Sequence, residues 1–398
     1  MRFPTGMVSL VLGARSLRAL ADGFVAVLLP AYLLALGYGQ FEVGMISTAT
    51  LLGSALTTLA VGRWGNRFPI RRFLLAAAIL MCATGIGFAA LASLWPLLLV
   101  AFVGTLNPSS GDVSVFLPLE HTVLASAVPA PHSRAAAFAR YSFCGSLFGA
   151  VGALVAAVPD WLARWAGIEM DDALRMMFLA YAAVGLALWS LYRRIPPTGA
   201  EEAKPLTPLG PSRATVWKLA GLFSVDSFAG GLVVNSLLAL WLFERFGLSL
   251  TVAGTFFFWT GLFSAASQLV APAVARRIGL VNTMVFTHIP ANLFLIGAAF
   301  ASSLEVALGL LLARSALSQM DVPARTAYVM SVVTPAERPA AASFTAVPRS
   351  LASAISPSLT GALFATGALS APLAVCGVLK IAYDLAIYFA FRRVEPRA

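Results

Sequence analysis

Residues 21–39 of the chain read ADGFVAVLLPAYLLALGYG, and residues 225–243 read VDSFAGGLVVNSLLALWLF. The two stretches share the word LLAL and an aspartate near their start, with Asp226 lying 204 residues after Asp22. Weak self-similarity of this kind indicates a duplicated structural unit. The sequence therefore predicts two homologous halves.

The repeat continues beyond these stretches. At the same offset, Arg134 and the alanines after it align with Arg338 and the alanines after Pro339. A second pair of words, SSGDV ending at residue 113 and SQMDV ending at residue 322, places Asp112 over Asp321. The duplication thus extends over most of each half.

The composition of the 398 residues fits a lipid environment. Only 11% of the residues are charged and 59% are hydrophobic, with a mean hydropathy of +0.86. Soluble domains carry about 25% charged residues, so this chain lacks the polar surface that water requires. Its apolar runs are continuous, without period-two alternation, which predicts an all-α integral membrane protein.

Twelve apolar runs are long enough to cross a bilayer core of about 30 Å as helices. They lie near residues 8–36, 42–62, 72–93, 96–125, 135–158, 173–193, 215–243, 249–275, 281–302, 304–333, 338–366 and 371–391. A proline-rich segment separates the first six runs from the last six. We predict an N-terminal six-helix bundle over residues 1–194, a cytoplasmic linker over 195–214 and a C-terminal six-helix bundle over 215–398.

Basic residues in the loops predict the orientation. They concentrate at the ends of spans on one side, which the positive-inside rule assigns to the cytoplasm. Both termini are therefore predicted to be cytoplasmic, in a plasma (inner) membrane. The net charge of +10 does not indicate a nucleic-acid partner, because the bases are spread over short loops rather than gathered on one face.

The loop after the second run, residues 62–72, reads GRWGNRFPIRR. It resembles the pattern Gly-x-Leu-Ala-Asp-Arg-x-Gly-Arg-Arg, the hallmark of the major facilitator superfamily. Gly62, Arg67 and Arg71 match that pattern, whereas Asn66 stands where the family has aspartate. The resemblance implies that this loop helps to stabilise one conformer of a transporter.

The second half carries a related loop, residues 272–282, which reads PAVARRIGLVN. Arg277 and Gly279 match the hallmark, and Arg276 stands where the family has aspartate. The resemblance implies two pseudo-symmetric six-helix bundles that rock about a central site. It also implies a small-molecule substrate, and we expect the transporter to be a monomer in the lipid bilayer.

Four aspartates lie deep within predicted spans one, four, seven and ten. They are Asp22, Asp112, Asp226 and Asp321. A charged group at mid-bilayer costs roughly 2.5–3.5 kcal/mol on insertion scales, so each one requires an explanation. The resemblance implies that these four spans surround the central cavity, where buried carboxylates can load and release a proton as access alternates. We therefore predict that protons are a transport partner.

Four-residue spacings pair three aspartates with a base on the same helix face. These pairs are Arg18 with Asp22, Arg325 with Asp321, and Lys380 with Asp384. A structural salt bridge and a functional role are equally open for these aspartates. Asp112 and Asp226 have no base within one turn of their own span. We predict that these two carry the coupling proton, unless another helix supplies a base.

Other polar residues within the spans are candidates for binding substrate. The predicted set is Arg18, Arg325, Arg314, Arg349, Asn235 and Glu120. Arg314 and Arg349 lack an acid nearby in sequence, and an arginine that lines a cavity favours carboxylate or phosphate. Glu120 with His121 is either a proton relay or a solvated pair at a helix end.

Catalytic motifs are absent from the sequence. It holds no nucleotide-binding glycine loop, metal-ligand spacing or nucleophile–base motif, so we expect no enzymatic activity, cofactor or metal. His288 lies beside Pro290 and is predicted to be a hydrogen-bonded packing residue.

Three functions follow from these features. Proton-coupled export of a small organic solute is the leading interpretation. Proton-driven import or exchange of an organic anion is the alternative. A non-transporting sensor or scaffold is the third, and it is disfavoured because such a protein gains nothing from buried aspartates.

Overall fold

The computed structural model describes residues 6–64, 68–109, 114–128, 131–196, 209–334 and 337–392. Sixteen α-helices make up most of these ranges. They are α1 (Gly6–Ala35), α2 (Gln40–Trp64), α3 (Ile70–Ala90), α4 (Leu94–Val103), α5 (Phe116–Ala127), α6 (Pro131–Val155), α7 (Val158–Ala166), α8 (Met170–Tyr192), α9 (Arg213–Gly231), α10 (Asn235–Phe246), α11 (Leu250–Ile278), α12 (Leu280–Ala299), α13 (Leu304–Ser315), α14 (Asp321–Val332), α15 (Arg338–Ala365) and α16 (Ala371–Phe391). The predicted all-helical class is confirmed.

The helices group into two compact units. The first unit consists of Met1–Ala203 and Asn235–Phe258, and the second consists of Lys204–Val234 and Trp259–Ala398. Helix α10 and the start of α11 thus belong with the first half of the chain. The division at the proline-rich linker stays a prediction, and residues 197–208 of that linker lie outside the described residues.

Nine helical segments of the described chain are long and apolar enough to cross a membrane. The predicted spans four, seven and ten are each interrupted, between α4 and α5, between α9 and α10, and between α13 and α14. The first interruption follows from the sequence GTLNPSSG after Val103, which is rich in helix-breaking residues. The count of twelve spans and the cytoplasmic termini stay predictions.

Side chains satisfy backbone groups at two of these interruptions. The Thr105 N–H donates to Thr84 Oγ1 at 3.3 Å, and the Tyr181 hydroxyl donates to the Thr105 carbonyl at 2.9 Å. In the second unit, Thr360 Oγ1 donates to the Leu232 carbonyl at 2.8 Å. Non-helical backbone at membrane depth requires such partners because lipid offers none.

Glycines bring α1 and α6 into backbone contact. A methyl group at Gly23 would lie 2.1 Å from the Gly149 carbonyl oxygen, and one at Gly152 would lie 2.1 Å from the Leu20 carbonyl oxygen. Only glycine fits at so close an approach. This packing holds the charged residues of α1 against α6.

The predicted conformational loop of the first half is described only at its edges. Gly62 lies in the last turn of α2, and Arg71 lies in the first turn of α3. Asn66 and Arg67 lie outside the described residues. The role of this loop stays a prediction.

The related loop of the second half is a tight turn. Arg276 and Arg277 are exposed in the last turn of α11, where positive charge complements the helix dipole. Gly279 follows with φ of 86° and caps α12. That left-handed backbone explains why glycine is needed between the two helices.

Glu337 joins the starts of α9 and α15. Its carboxylate accepts hydrogen bonds from Thr334 Oγ1 at 2.6 Å, from Ser212 Oγ at 2.7 Å and from the Gly210 N–H at 2.5 Å. These donors, Thr334 and Ser212 above all, lower the pKa of Glu337 from 4.5 to about 2. The carboxylate thus fixes the segment that leads into α9.

We expect Glu337→Gln to lower the melting temperature by a few degrees at pH 7. Because the pKa of the folded protein lies below the ordinary value, the stabilisation is present above pH 4.5 and is lost as the pH falls towards 2. Thermal unfolding in detergent between pH 7 and pH 3 measures this, with the exposed Glu169→Gln as the control. A difference between wild type and variant that does not shrink in acid would contradict the assignment.

Candidate functional site

A buried cluster of charges surrounds Asp226 on α9. Lys380 Nζ on α16 lies 2.5 Å from Asp226 Oδ1, and Arg325 Nη1 on α14 lies 3.0 Å from Asp226 Oδ2. None of the three residues is more than 8% exposed. Each carboxylate oxygen of Asp226 therefore has its own cationic partner.

This geometry corrects two predictions. Asp226 lacks a base on its own helix, but other helices supply two, so the condition for its free titration fails. The predicted pair of Lys380 with Asp384 is wrong, because Lys380 reaches across to α9 instead. Asp384 pairs with His288 on α12, with 2.9 Å between Oδ1 and Nδ1. The prediction that His288 is hydrogen-bonded is confirmed.

The two other four-residue spacings bring their residues together. Arg325 Nη1 lies 3.3 Å from Asp321 Oδ2, and Arg18 Nη1 lies 4.0 Å from Asp22 Oδ2. Asp321 begins α14, where the helix dipole also favours a negative charge. Arg325 thus links two carboxylates in the second unit.

Arg349 on α15 lies beside this cluster. Its Nε donates to Ser227 Oγ at 3.1 Å. Its guanidinium lies 5.9 Å from the centre of the Phe223 ring, and the guanidinium of Arg325 lies 5.5 Å from the same ring. Among the described residues, no carboxylate pairs with Arg349, so its terminal N–H groups can donate hydrogen bonds to an anion.

Two other predicted substrate ligands form no hydrogen bond or ion pair with this cluster among the described residues. Arg314 is in the last turn of α13, and its buried Nε has no hydrogen-bond partner among the described residues. Asn235 begins α10, which belongs to the first unit. Asp112 lies outside the described residues.

A second buried cluster lies in the first unit. Arg18 Nη2 on α1 donates to Glu120 Oε2 on α5 at 2.6 Å and to the Tyr141 hydroxyl on α6 at 3.0 Å. The Tyr192 hydroxyl donates to Glu120 Oε1 at 2.6 Å, and the Tyr141 hydroxyl donates to Glu120 Oε2. Glu120 therefore accepts three hydrogen bonds in a fully buried position, one from a guanidinium and two from tyrosine hydroxyls.

The interpretation of Glu120 as a solvated residue at a helix end is wrong. Its side chain is 0% exposed, and α1, α6 and α8 each contribute a hydrogen-bond donor to its carboxylate. Asp22 lies one turn from Arg18 and is hydrogen-bonded to Asn107, which precedes Pro108 in the interruption of span four. Sequence reasoning missed Asn107, although an Asn-Pro pair inside an apolar run is a visible signal.

The two clusters share one arrangement, in which the helices that supply the acid and the base are exchanged. In the first unit, the base Arg18 comes from α1 and the acid Glu120 from α5. In the second unit, the acid Asp226 comes from α9 and the base Arg325 from α14. Each unit thus buries an ion pair between the first and fourth predicted spans of its half.

The family model of the Major Facilitator Superfamily matches residues 11–318. The chain belongs to this superfamily. Its members are membrane transporters, so the chain is a multi-pass membrane protein and a secondary transporter of small molecules that works by alternating access. The resemblance inferred from the loop motifs is confirmed.

Similar proteins extend over nearly the whole chain. An uncharacterized membrane protein of Saccharomyces cerevisiae is 23% identical, over 96% of this chain and 93% of its own. The nucleoside transporter NupG is 12% identical with a TM-score of 0.74 over 98% of this chain and 100% of its own. The xylose transporter XylE from E. coli is 16% identical with a TM-score of 0.74 over 96% of each chain. The human organic anion transporter MFSD10 is 17% identical with a TM-score of 0.63 over 97% of this chain and 100% of its own. At these identities the solved structures show the fold alone.

Proposed function

We propose that this transporter couples the movement of a small organic solute to protons and exports that solute across the plasma (inner) membrane as a monomer. The buried charge cluster around Asp226 carries the proposal. The cationic groups of Arg325 and Lys380 lie within 3.0 Å of the Asp226 carboxylate, and all three residues are buried. Such an arrangement is costly to bury and is expected where charges exchange partners during a transport cycle.

The interrupted helices support the same function. Asp321 starts α14 directly after the interruption of span ten, and Asp226 lies one turn before the interruption of span seven. In secondary transporters, discontinuous helices form ion and substrate sites because their ends expose backbone dipoles. The charged cluster therefore lies close to the parts of the second unit that are least regular.

The contacts of Asp22, Asp226 and Asp321 support roles for these aspartates, and Asp112, which lies outside the described residues, keeps the role that the sequence predicts. We propose that Asp22, Asp112, Asp226 and Asp321 all take part in coupling. A carboxylate held by two cations must release one of them before it can bind a proton. Asp226 therefore acts by exchanging cationic partners, rather than as the freely titrating group that the sequence predicts.

Reconstitution into liposomes with an imposed pH gradient tests this function. The pH-sensitive dye pyranine inside the vesicles reports proton movement while a panel of cationic, neutral and anionic organic solutes is added in turn. We expect at least one solute to move protons, and reversal of the gradient to reverse the direction of solute flux. Solute exchange that ignores the gradient would contradict proton coupling, and a panel without any flux would exclude the tested solutes as substrates.

An organic anion is the second candidate for the solute, in an importer or an exchanger. Arg349 favours it, because this guanidinium is bonded only to Ser227 among the described residues and lies over an aromatic ring. A planar guanidinium binds carboxylate or phosphate through two parallel hydrogen bonds. The solved relatives are named for nucleosides, xylose and organic anions, so their likeness does not select a substrate.

If the solute is an anion, we expect Arg349→Met to raise its KM roughly 10- to 100-fold, because charge-assisted hydrogen bonds contribute about 1.5–3 kcal/mol each. Arg349→Lys keeps the charge and should lose less. Uptake assays across the solute panel measure this, and neutral solutes serve as the control within each variant. An equal loss for neutral and anionic solutes would show that Arg349 has a structural role.

A further inference from the structure

The pair of His288 and Asp384 is not explained by the ion-pair cluster. Nδ1 of His288 on α12 lies 2.9 Å from Oδ1 of Asp384 on α16. The two side chains are 5% and 1% exposed. Oδ2 of Asp384 is buried and has no hydrogen-bond partner among the described residues. A titratable pair is thus enclosed in the second unit with one oxygen left unsatisfied.

Unsatisfied buried carboxylate oxygens call for an explanation, because each one loses its bonds to water without replacement. A packing role for His288 accounts for one oxygen of Asp384 and leaves the other. A proton taken up by the pair balances the negative charge that both oxygens share.

Among the described residues, Asp226 on α9 and Lys380 and Tyr383 on α16 interact electrostatically with Asp384. Asp321 and Arg325 on α14 and Arg349 on α15 interact with Tyr383 instead. Lys380 is the group that connects the pair to the cluster. It lies one helical turn before Asp384 and is bonded to Asp226 on the neighbouring helix.

We infer that His288 and Asp384 form the binding site of the coupling proton, and that Lys380 transmits its occupancy to Asp226. This inference rests on the proposed proton-coupled transport. The proton comes from water and adds one positive charge to the pair, and no covalent bond other than N–H or O–H changes. Its release leaves Asp384 as an anion that competes with Asp226 for Lys380, because a four-residue spacing puts both residues on one face of α16.

The consequence is a link between proton binding and substrate binding. When the pair holds its proton, Lys380 stays with Asp226, as observed here. When the proton leaves, Lys380 is drawn towards Asp384, and Asp226 keeps only Arg325. The cluster beside Arg349 then changes its charge distribution without any change of protonation at Asp226 itself.

The chain holds three histidines, which makes the site accessible to NMR. We propose nitrogen-15 labelling of histidine in the full chain, reconstituted in liposomes, with His288→Gln to assign the signals. We expect the His288 ring nitrogens to change from one protonation state to the other over a pH series. In Lys380→Met the midpoint of this change should lie at higher pH, because loss of a neighbouring positive charge favours the protonated pair. A His288 ring that keeps one protonation state throughout would overturn the inference.

Two control variants sharpen this test. Lys218→Met removes an exposed lysine of α9 and should leave the midpoint in place. Asp384→Asn should abolish the downfield shift of Nδ1 that the hydrogen bond to a carboxylate causes. Should Asp384→Asn not fold, Asp384→Glu keeps the charge and should retain a titrating His288 with an altered midpoint. Equal midpoints in wild type and Lys380→Met would overturn the role of Lys380.

Failure of the inference is distinguishable from failure of the proposed function. The NMR titration needs no solute, whereas the pyranine assay needs no knowledge of the proton site. Proton-driven flux that persists unchanged in Asp384→Asn would contradict the inference but would remain consistent with the proposed function. A titration linked to Lys380 in a protein without proton-driven flux would support proton binding at His288 and Asp384, but would refute both the proposed function and the assignment of that proton to coupling.

Discussion

Replacing Asp226 by Asn is expected to lower the free energy of unfolding by roughly 3–5 kcal/mol, because removal of one partner leaves a buried charge uncompensated. Within the described part of the chain, Lys380 loses its one bonded carboxylate and Arg325 keeps that of Asp321. Proton-driven flux should disappear in the same variant, since Asp226 is the residue whose cationic partners are proposed to exchange. Chemical denaturation in mixed micelles and the pyranine assay measure the two effects.

A double variant separates the stability effect from the transport effect. In Asp226→Asn with Lys380→Met, no unpaired ammonium remains, so most of the lost stability should return while proton-driven flux stays absent. The exposed Asp171→Asn of α8 is the matched control for loss of a carboxylate and should behave as wild type. If Asp226→Asn is as stable as this control, the cluster does not hold the second unit together.

The contacts within one helix could be predicted from the sequence, and those between helices could not. Arg325 and Asp321 are four residues apart, and helix geometry alone brings them within 3.3 Å. Lys380 is followed by Asp384 at the same spacing, yet it bonds to Asp226, 154 residues away. The rotation of α16 about its axis turns Lys380 towards Asp226 on α9. That rotation is set by packing against α9 and α12, which periodicity does not specify.

The helical class followed from composition, whereas the interruptions of the spans did not. An apolar run is judged by its length and mean hydropathy, and a few unwound residues change neither. The interruption between α4 and α5 has a visible cause in Asn107 and Pro108. The one between α9 and α10 follows Gly230 and Gly231, a weaker signal. At that interruption, Thr360 Oγ1 donates a hydrogen bond to the Leu232 carbonyl. This bond is a tertiary contact, which the local sequence does not reveal.

The second prediction with a large expected effect concerns Arg18 and Glu120. Arg18→Met should lower the free energy of unfolding by roughly 3–5 kcal/mol, because Glu120 would then be a buried carboxylate without its cation. Its hydrogen bonds from Tyr141 and Tyr192 remain, but neither hydroxyl balances its charge. Arg140→Met, which removes an exposed arginine of α6, is the matched control and should change stability little.

The double variant Arg18→Met with Glu120→Gln decides what this pair is for. If the pair is a structural counterpart of the cluster in the second unit, the double variant should recover most of the stability, and the double-mutant cycle should give a coupling energy of about 1 kcal/mol or more. Transport should then recover with stability, unlike in the Asp226 and Lys380 double variant. Recovery of stability without recovery of flux would instead show that Arg18 or Glu120 acts in the cycle itself, because both variants would be equally well folded and would differ only in the buried charges of the first unit.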